Sequence, residues 1–156
     1  MHWSHLLAAD RIVLLVDPVD SRHVLDAAAR LLGANAPELT PAIAAALRAR
    51  EEMASTAIGR GVAIPHARGP AFKEARGAFL RLSYPVDFRA HDGQPVDLVF
   101  AMCAPDDQPE VHLEHLAAIA TRFSDPEFLE TLRRAPDLTA LRAALLGPGC
   151  RPAPVP

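Results

Sequence analysis

Arg50-Glu51-Glu52-Met53-Ala54-Ser55-Thr56-Ala57-Ile58-Gly59-Arg60-Gly61-Val62-Ala63-Ile64-Pro65-His66 is where the pattern of the chain changes. Immediately upstream of it, from Ser21 onward, the apolar residues recur at helical spacing. Downstream, as far as Ala104, they come in short runs bounded by glycine and proline, which is the pattern of strands. The stretch therefore leaves a helix, passes a small-residue turn with two glycines, and enters a short strand that ends in Pro65-His66. Such a path can gather backbone N–H groups, the Ser55 and Thr56 hydroxyls, Arg50 and His66 around one anion-sized space, with Gly59 and Gly61 allowing close backbone approach. A Pro-His at a strand end is, taken alone, an ordinary surface residue. The segment also lacks the Lys-Ser/Thr ending of a nucleotide-binding P-loop.

Working outward toward the N-terminus, Arg11 to Val16 (RIVLLV) is a short β-branched run stopped by Asp17-Pro18, which predicts a strand and a turn. Ser21 is placed to cap a helix carrying Val24, Leu25, Ala28, Leu31 and Leu32, with Gly33 to end it. Thr40 as cap and Pro41 at the first helical position predict a second helix to about Met53. Toward the C-terminus, Gly61 to Ile64, Ala78 to Tyr84 and Val96 to Ala104 are of strand length. The short link between the last two implies antiparallel pairing around the turn-forming segment Asp87 to Pro95. Helices are expected from about Pro109 to Phe123, from Asp125-Pro126, and from about Pro136 to Leu146.

Helices before and after a strand-rich middle predict an α/β fold: a single domain over residues 1–146, with a mixed sheet sandwiched between helices. Residues 147–156, rich in proline and glycine, are expected to form a disordered tail. The 156 residues suffice for one core; half are hydrophobic and 22% charged, as in soluble globular proteins. A formal net charge of -3 offers no overall positive field for nucleic acid or an anionic membrane. No run approaches the roughly 20 apolar residues of a membrane span, and Asp10 and Arg11 interrupt anything like a signal peptide. Two cysteines, Cys103 and Cys150, make neither a disulfide framework nor a metal spacing, so a cytoplasmic location is expected.

The second chemical cluster is Val111-His112-Leu113-Glu114-His115-Leu116-Ala117-Ala118-Ile119-Ala120. On a helix, Leu116, Ile119, Ala120 and Phe123 form the apolar stripe; His112 lies on it at the N-terminal end and His115 nearer its margin. His112 is thus expected to point inward from a first turn whose free N–H groups favour an anion. Two histidines three apart with no third ligand at a familiar spacing do not predict a metal site.

These clusters, "REEMASTAIGRGVAIPH", then "GQPVDLVFAMCAP", then "HLEHLAAIA", resemble in order and separation the type-2 EIIA domains of the phosphoenolpyruvate-dependent phosphotransferase system, the fructose/mannitol class. The resemblance is greatest to the nitrogen-regulatory branch and spans about Ser21 to Leu146. It implies a bacterial phosphotransferase-type phosphocarrier in which His66 accepts a phosphoryl group from the carrier protein HPr or its nitrogen-branch equivalent. Arg50 and His112 would line the same site, and no cofactor or metal would be needed. It implies, as partners, regulatory targets such as a potassium transporter or a sensor kinase. Two alternatives stand beside this reading: a sugar-transport EIIA that passes phosphate to an EIIB, and an anion-binding module that transfers nothing.

Overall fold

Strand β6 (Val96–Pro105) is buried on both faces, and its alternation sets the layers of the molecule. Val99, Ala101 and Cys103 point into one apolar cluster while Leu98, Phe100 and Met102 point into the other, as the period of two requires. The computed structural model describes residues 3–147. After two 3-10 turns come β1 (Ile12–Leu15), α1 (Ser21–Leu32), α2 (Thr40–Met53), β2 (Ala57–Gly59), β3 (Val62–Ala63), β4 (His66–Gly69) and β5 (Arg76–Val86). Then follow β6, α3 (Pro109–Arg122), α4 (Pro126–Arg134) and α5 (Leu138–Leu146).

The six-stranded sheet runs β1-β5-β6-β3-β2, with β4 also paired to β6 beyond the end of β3. β1 lies parallel to β5, β3 and β4 lie parallel to β6, and β5 and β6 form the antiparallel hairpin. Helices α1 and α2 cover one face through Val24, Leu25, Leu32, Ile43 and Leu47. The N-terminal segment with α3, α4 and α5 covers the other, where Trp3, Phe100, Phe123 and Phe128 meet edge to face. The expected mixed sheet between helices is therefore the observed architecture. Among the described residues, no helix is long and apolar enough to cross a membrane. The expected tail, apart from Gly147, and Cys150 lie outside the described residues.

Two helix starts differ from expectation. Asp20, not Ser21, caps α1: its Oδ1 accepts from the His23 N–H at 2.8 Å. Both residue types serve as caps, and the earlier one takes the position. Thr40 makes no cap bond, because a 3-10 turn at Pro37–Leu39 already carries the chain into helical geometry and leaves Leu39 at the cap position. Gly33 ends α1 as expected, its N–H bonded to the Ala29 carbonyl at 2.9 Å.

The β2–β3 connection takes three successive left-handed residues, Gly59 (φ 98), Arg60 (φ 58) and Gly61 (φ 81). A side chain at Gly61 would be strained by that φ and would also meet the Arg133 guanidinium, with a Cβ only 2.5 Å from Nη2. The turn is locked from outside by Arg133, which donates to the Arg60 carbonyl at 2.6 Å while paired with Asp97. Asp92 of the β5–β6 loop accepts from the Arg60 N–H at 2.9 Å.

Candidate active site

β4 begins at His66 and pairs with Met102 to Pro105, so His66 stands near the C-terminal end of β6, where the chain turns into α3. Helix α2 passes β4 on one side, and the first turns of α3 arrive on the other. Between them lies an open cleft of about 660 Å³ lined by Arg50 and Met53 of α2, His66 and Arg68 of β4, Asp106, and His112 and Leu113 of α3.

The His66 ring is half-buried, and its Nδ1 lies 2.8 Å from the Ile64 carbonyl oxygen. A carbonyl only accepts, so Nδ1 carries the proton and the lone pair of the neutral ring resides on Nε2. Burial holds the imidazole below its ordinary pKa of 6.5; the Ile64 contact opposes this, and the positive charge of Arg50 adds to the lowering. The ring is thus neutral near pH 7.

His112 is buried, 4% exposed, with its ring centroid 5.5 Å from that of His66. Among the described residues its Nδ1 has no hydrogen-bond partner. Burial first, then the neighbouring His66 and Arg68, bring its pKa down to about 4. It is therefore also neutral, with one N–H to donate. Pro109 opens α3 beside it, and no side chain caps this helix start. The positive end of the helix dipole thus borders the cleft. Arg50 donates from Nη1 to the Ala54 carbonyl at 2.7 Å, which tethers it to the end of its own helix. Two guanidinium groups, one uncapped helix start and two neutral imidazoles thus face a space into which, among the described residues, one carboxylate, Asp106, also opens. The arrangement is suited to an anion that has to be attacked by nitrogen.

The family model described as "Phosphoenolpyruvate-dependent sugar phosphotransferase system, EIIA 2" matches residues 5–147. The chain belongs to this family. Among its relatives, a nitrogen regulatory protein of Bradyrhizobium diazoefficiens is 42% identical over 121 residues, 75% of this chain and 79% of that protein. Another, from Pseudomonas aeruginosa, is 38% identical over 139 residues, 88% of this chain and 90% of that protein. Among solved structures, the nitrogen regulatory protein IIA-Ntr of Neisseria meningitidis superposes with a TM-score of 0.83 at 35% identity, covering 91% of this chain and 97% of that one.

Within this EIIA fold His66, His112 and Arg50 come together, and the other expected anion-binding residues do not join them. Ser55 donates to the Phe88 carbonyl at 2.5 Å and accepts from the Ala57 N–H at 3.1 Å, tying the turn to the β5–β6 loop. Thr56 is buried against Glu51. Gly59 and Gly61 lie against Asp92, Asp97 and Arg133. The reason is the β2–β3 hairpin, which carries the glycine turn to the start of β6. Gly61 accepts from the Asp97 and Leu98 N–H groups, whereas His66 pairs with Met102. Leu98 and Met102 are four positions apart along the strand, or ~13 Å.

Arg68 and Asp106 are cleft residues that the reading of the sequence passed over. The signal for Arg68 was present: two residues after His66 on a strand, it shares the histidine's face. The cleft also has an apolar rim, formed by Met53 (81% exposed) and Leu113 (65% exposed). His115, expected at the margin of its helix stripe, is buried as deeply as His112, against His5 with ring centroids 5.5 Å apart.

Proposed function

We propose that this chain is a regulatory phosphocarrier of the nitrogen-type phosphotransferase system, with His66 Nε2 as the phosphoryl acceptor. The observation that carries the reading is the His66 ring itself: its Nδ1–H is held by the Ile64 carbonyl, its Nε2 is free to attack, and Arg50, Arg68 and His112 surround it in one cleft. In the transfer, Nε2 attacks the phosphorus of the donor's phosphohistidine in line. The new N–P bond forms as the donor's N–P bond breaks, and that electron pair returns to the donor imidazole. His66 loses no proton, so its ring gains positive charge that the Ile64 carbonyl stabilises. Arg50 and Arg68 supply charge-assisted contacts to the phosphoryl oxygens, and His112 donates its single N–H.

The donor in this reading is HPr or its nitrogen-branch equivalent, docking on the rim formed by Met53 and Leu113. Phosphorylation adds up to two negative charges to a cleft with two arginines and changes which partner surface fits, which suits a regulator read by other proteins. The similarity to two nitrogen regulatory proteins over most of their lengths supports regulation over sugar transport. The test is incubation with phosphoenolpyruvate, the first enzyme of the system and HPr. The wild type gains an acid-labile phosphoryl group and His66→Ala does not; equal labelling of both would rule out this assignment.

A further inference from the structure

Glu51 follows Arg50 in the last turn of α2 and is only 6% exposed. A buried carboxylate costs free energy unless its oxygens are well partnered, and among the described residues Glu51 has no ion-pair partner. Among the described residues, its hydrogen bonds all go to Thr56. The Thr56 N–H lies 3.1 and 3.3 Å from its two oxygens, and the Thr56 hydroxyl donates to Oε2. The Thr56 carbonyl in turn accepts from the Ile64 N–H at 2.9 Å. The Ile64 carbonyl accepts from His66 Nδ1 at 2.8 Å.

Every link in this series donates toward Glu51. The carboxylate is therefore the anionic end of a chain of contacts that begins at the His66 imidazole. The links cross the Cα atoms of Thr56 and Ile64, so the coupling is positional and through space. Glu51 holds Thr56, Thr56 sets the position of Ile64, and the Ile64 carbonyl selects the proton position on His66.

We propose that Glu51 is a positioning residue for His66: through Thr56 and Ile64 it fixes the Nδ1–H tautomer and balances the positive charge the ring gains when Nε2 takes the phosphoryl group. This rests on His66 being the acceptor. The charge of Glu51 also acts directly on the imidazole in the direction that favours its cationic form. A carboxylate that served only to close the end of α2 would leave the proton position on His66 alone, and that difference is measurable.

The experiment uses the full chain with 15N-labelled histidine. In the wild type the His66 imidazole is expected almost wholly as the Nδ1–H tautomer at pH 7.5. In Glu51→Gln the Nε2–H tautomer rises several-fold and the ring titrates at lower pH. The kcat for transfer from phospho-HPr falls roughly 10-fold while KM for the donor stays near its wild-type value. Thr56→Val removes the hydroxyl donor and shifts the same readouts less far; Thr56→Ser restores them. A folded Glu51→Gln with wild-type tautomer ratio and titration overturns the proposal. Should that variant fail to fold, an unchanged tautomer ratio in Thr56→Val overturns it instead. The tautomer measurement needs no donor, so a wild type that accepts no phosphate sinks the phosphocarrier reading separately and leaves the role of Glu51 to be decided by the spectrum.

Discussion

Acidification should destabilise this protein in a way that can be traced to His112. Its pKa is brought down from 6.5 to about 4 by burial and by the neighbouring His66 and Arg68. The unfolded chain takes up this proton near pH 6.5 and the folded one only near pH 4. Between those values the unfolded state binds more protons, so stability is full above about pH 6.5 and falls as the pH drops. From pH 7.5 to 4.5 the His112 contribution is about 2.5 kcal/mol at ~1.36 kcal/mol per pKa unit. His66 and His115, also lowered chiefly by burial, act in the same direction. Urea denaturation of the wild type and of His112→Gln at both pH values measures the difference: the variant should lose about 2 kcal/mol less on acidification. Imidazole 15N spectra give the companion measurement. With the rings 5.5 Å apart, each negative charge placed on His66 is worth ~3 kcal/mol to a protonated His112 at an effective dielectric of ~20. Phosphorylation brings about two negative charges on the phosphoryl group and one positive charge on the ring, so the net of about one should raise the proton affinity of His112 by about a hundredfold. Parallel pH dependences for the two proteins, or a His112 that titrates near 6.5 without phosphate, would refute the electrostatic account of the cleft.

Arg68→Gln and Arg50→Ala should each slow acid-labile labelling by roughly 10–100-fold with the fold intact, followed by mass spectrometry over time; wild-type rates would remove the arginines from phosphoryl stabilisation. Gly61→Ala should cost about 1–3 kcal/mol in urea denaturation, because φ is 81 and the new Cβ meets Arg133, yet under native conditions His66 should still be labelled at close to the wild-type rate. A Gly61→Ala protein that is stable but fails to accept phosphate would instead restore the glycine turn to the site. Met53→Glu and Leu113→Glu should raise KM for phospho-HPr with little change in kcat, since both side chains are exposed beside the cleft. Cys103 should resist alkylation at pH 8, because burial pushes its thiol up to about 11; rapid modification would show that the β6 core opens.

The layers of the fold were legible because they depend on periodicity. Val24, Leu25, Ala28 and Leu32 mark the inner face of α1, and the unbroken apolar run of β6 signals a strand covered on both sides. Strand β4 escaped because His66-Ala67-Arg68-Gly69 has no strand composition of its own. What makes it a strand is its parallel pairing with Met102 to Pro105, which the local sequence does not encode.

The same limit explains the mixed outcome at the site. Arg50, His66 and His112 are legible one by one, as the end of a helix, the end of a strand run and the inward face of a helix start. Ser55, Thr56, Gly59 and Gly61 look like anion-binding residues for good local reasons: hydroxyls and glycines in a turn beside a histidine. Yet hydroxyls in a tight turn are also what the fold needs to satisfy its own buried groups, and here it uses them so. Ser55 serves the Phe88 carbonyl, and Thr56 serves the one buried carboxylate among the described residues. Of the four, Thr56 is the one linked to the histidine: its carbonyl accepts from the Ile64 N–H, and the Ile64 carbonyl holds the ring.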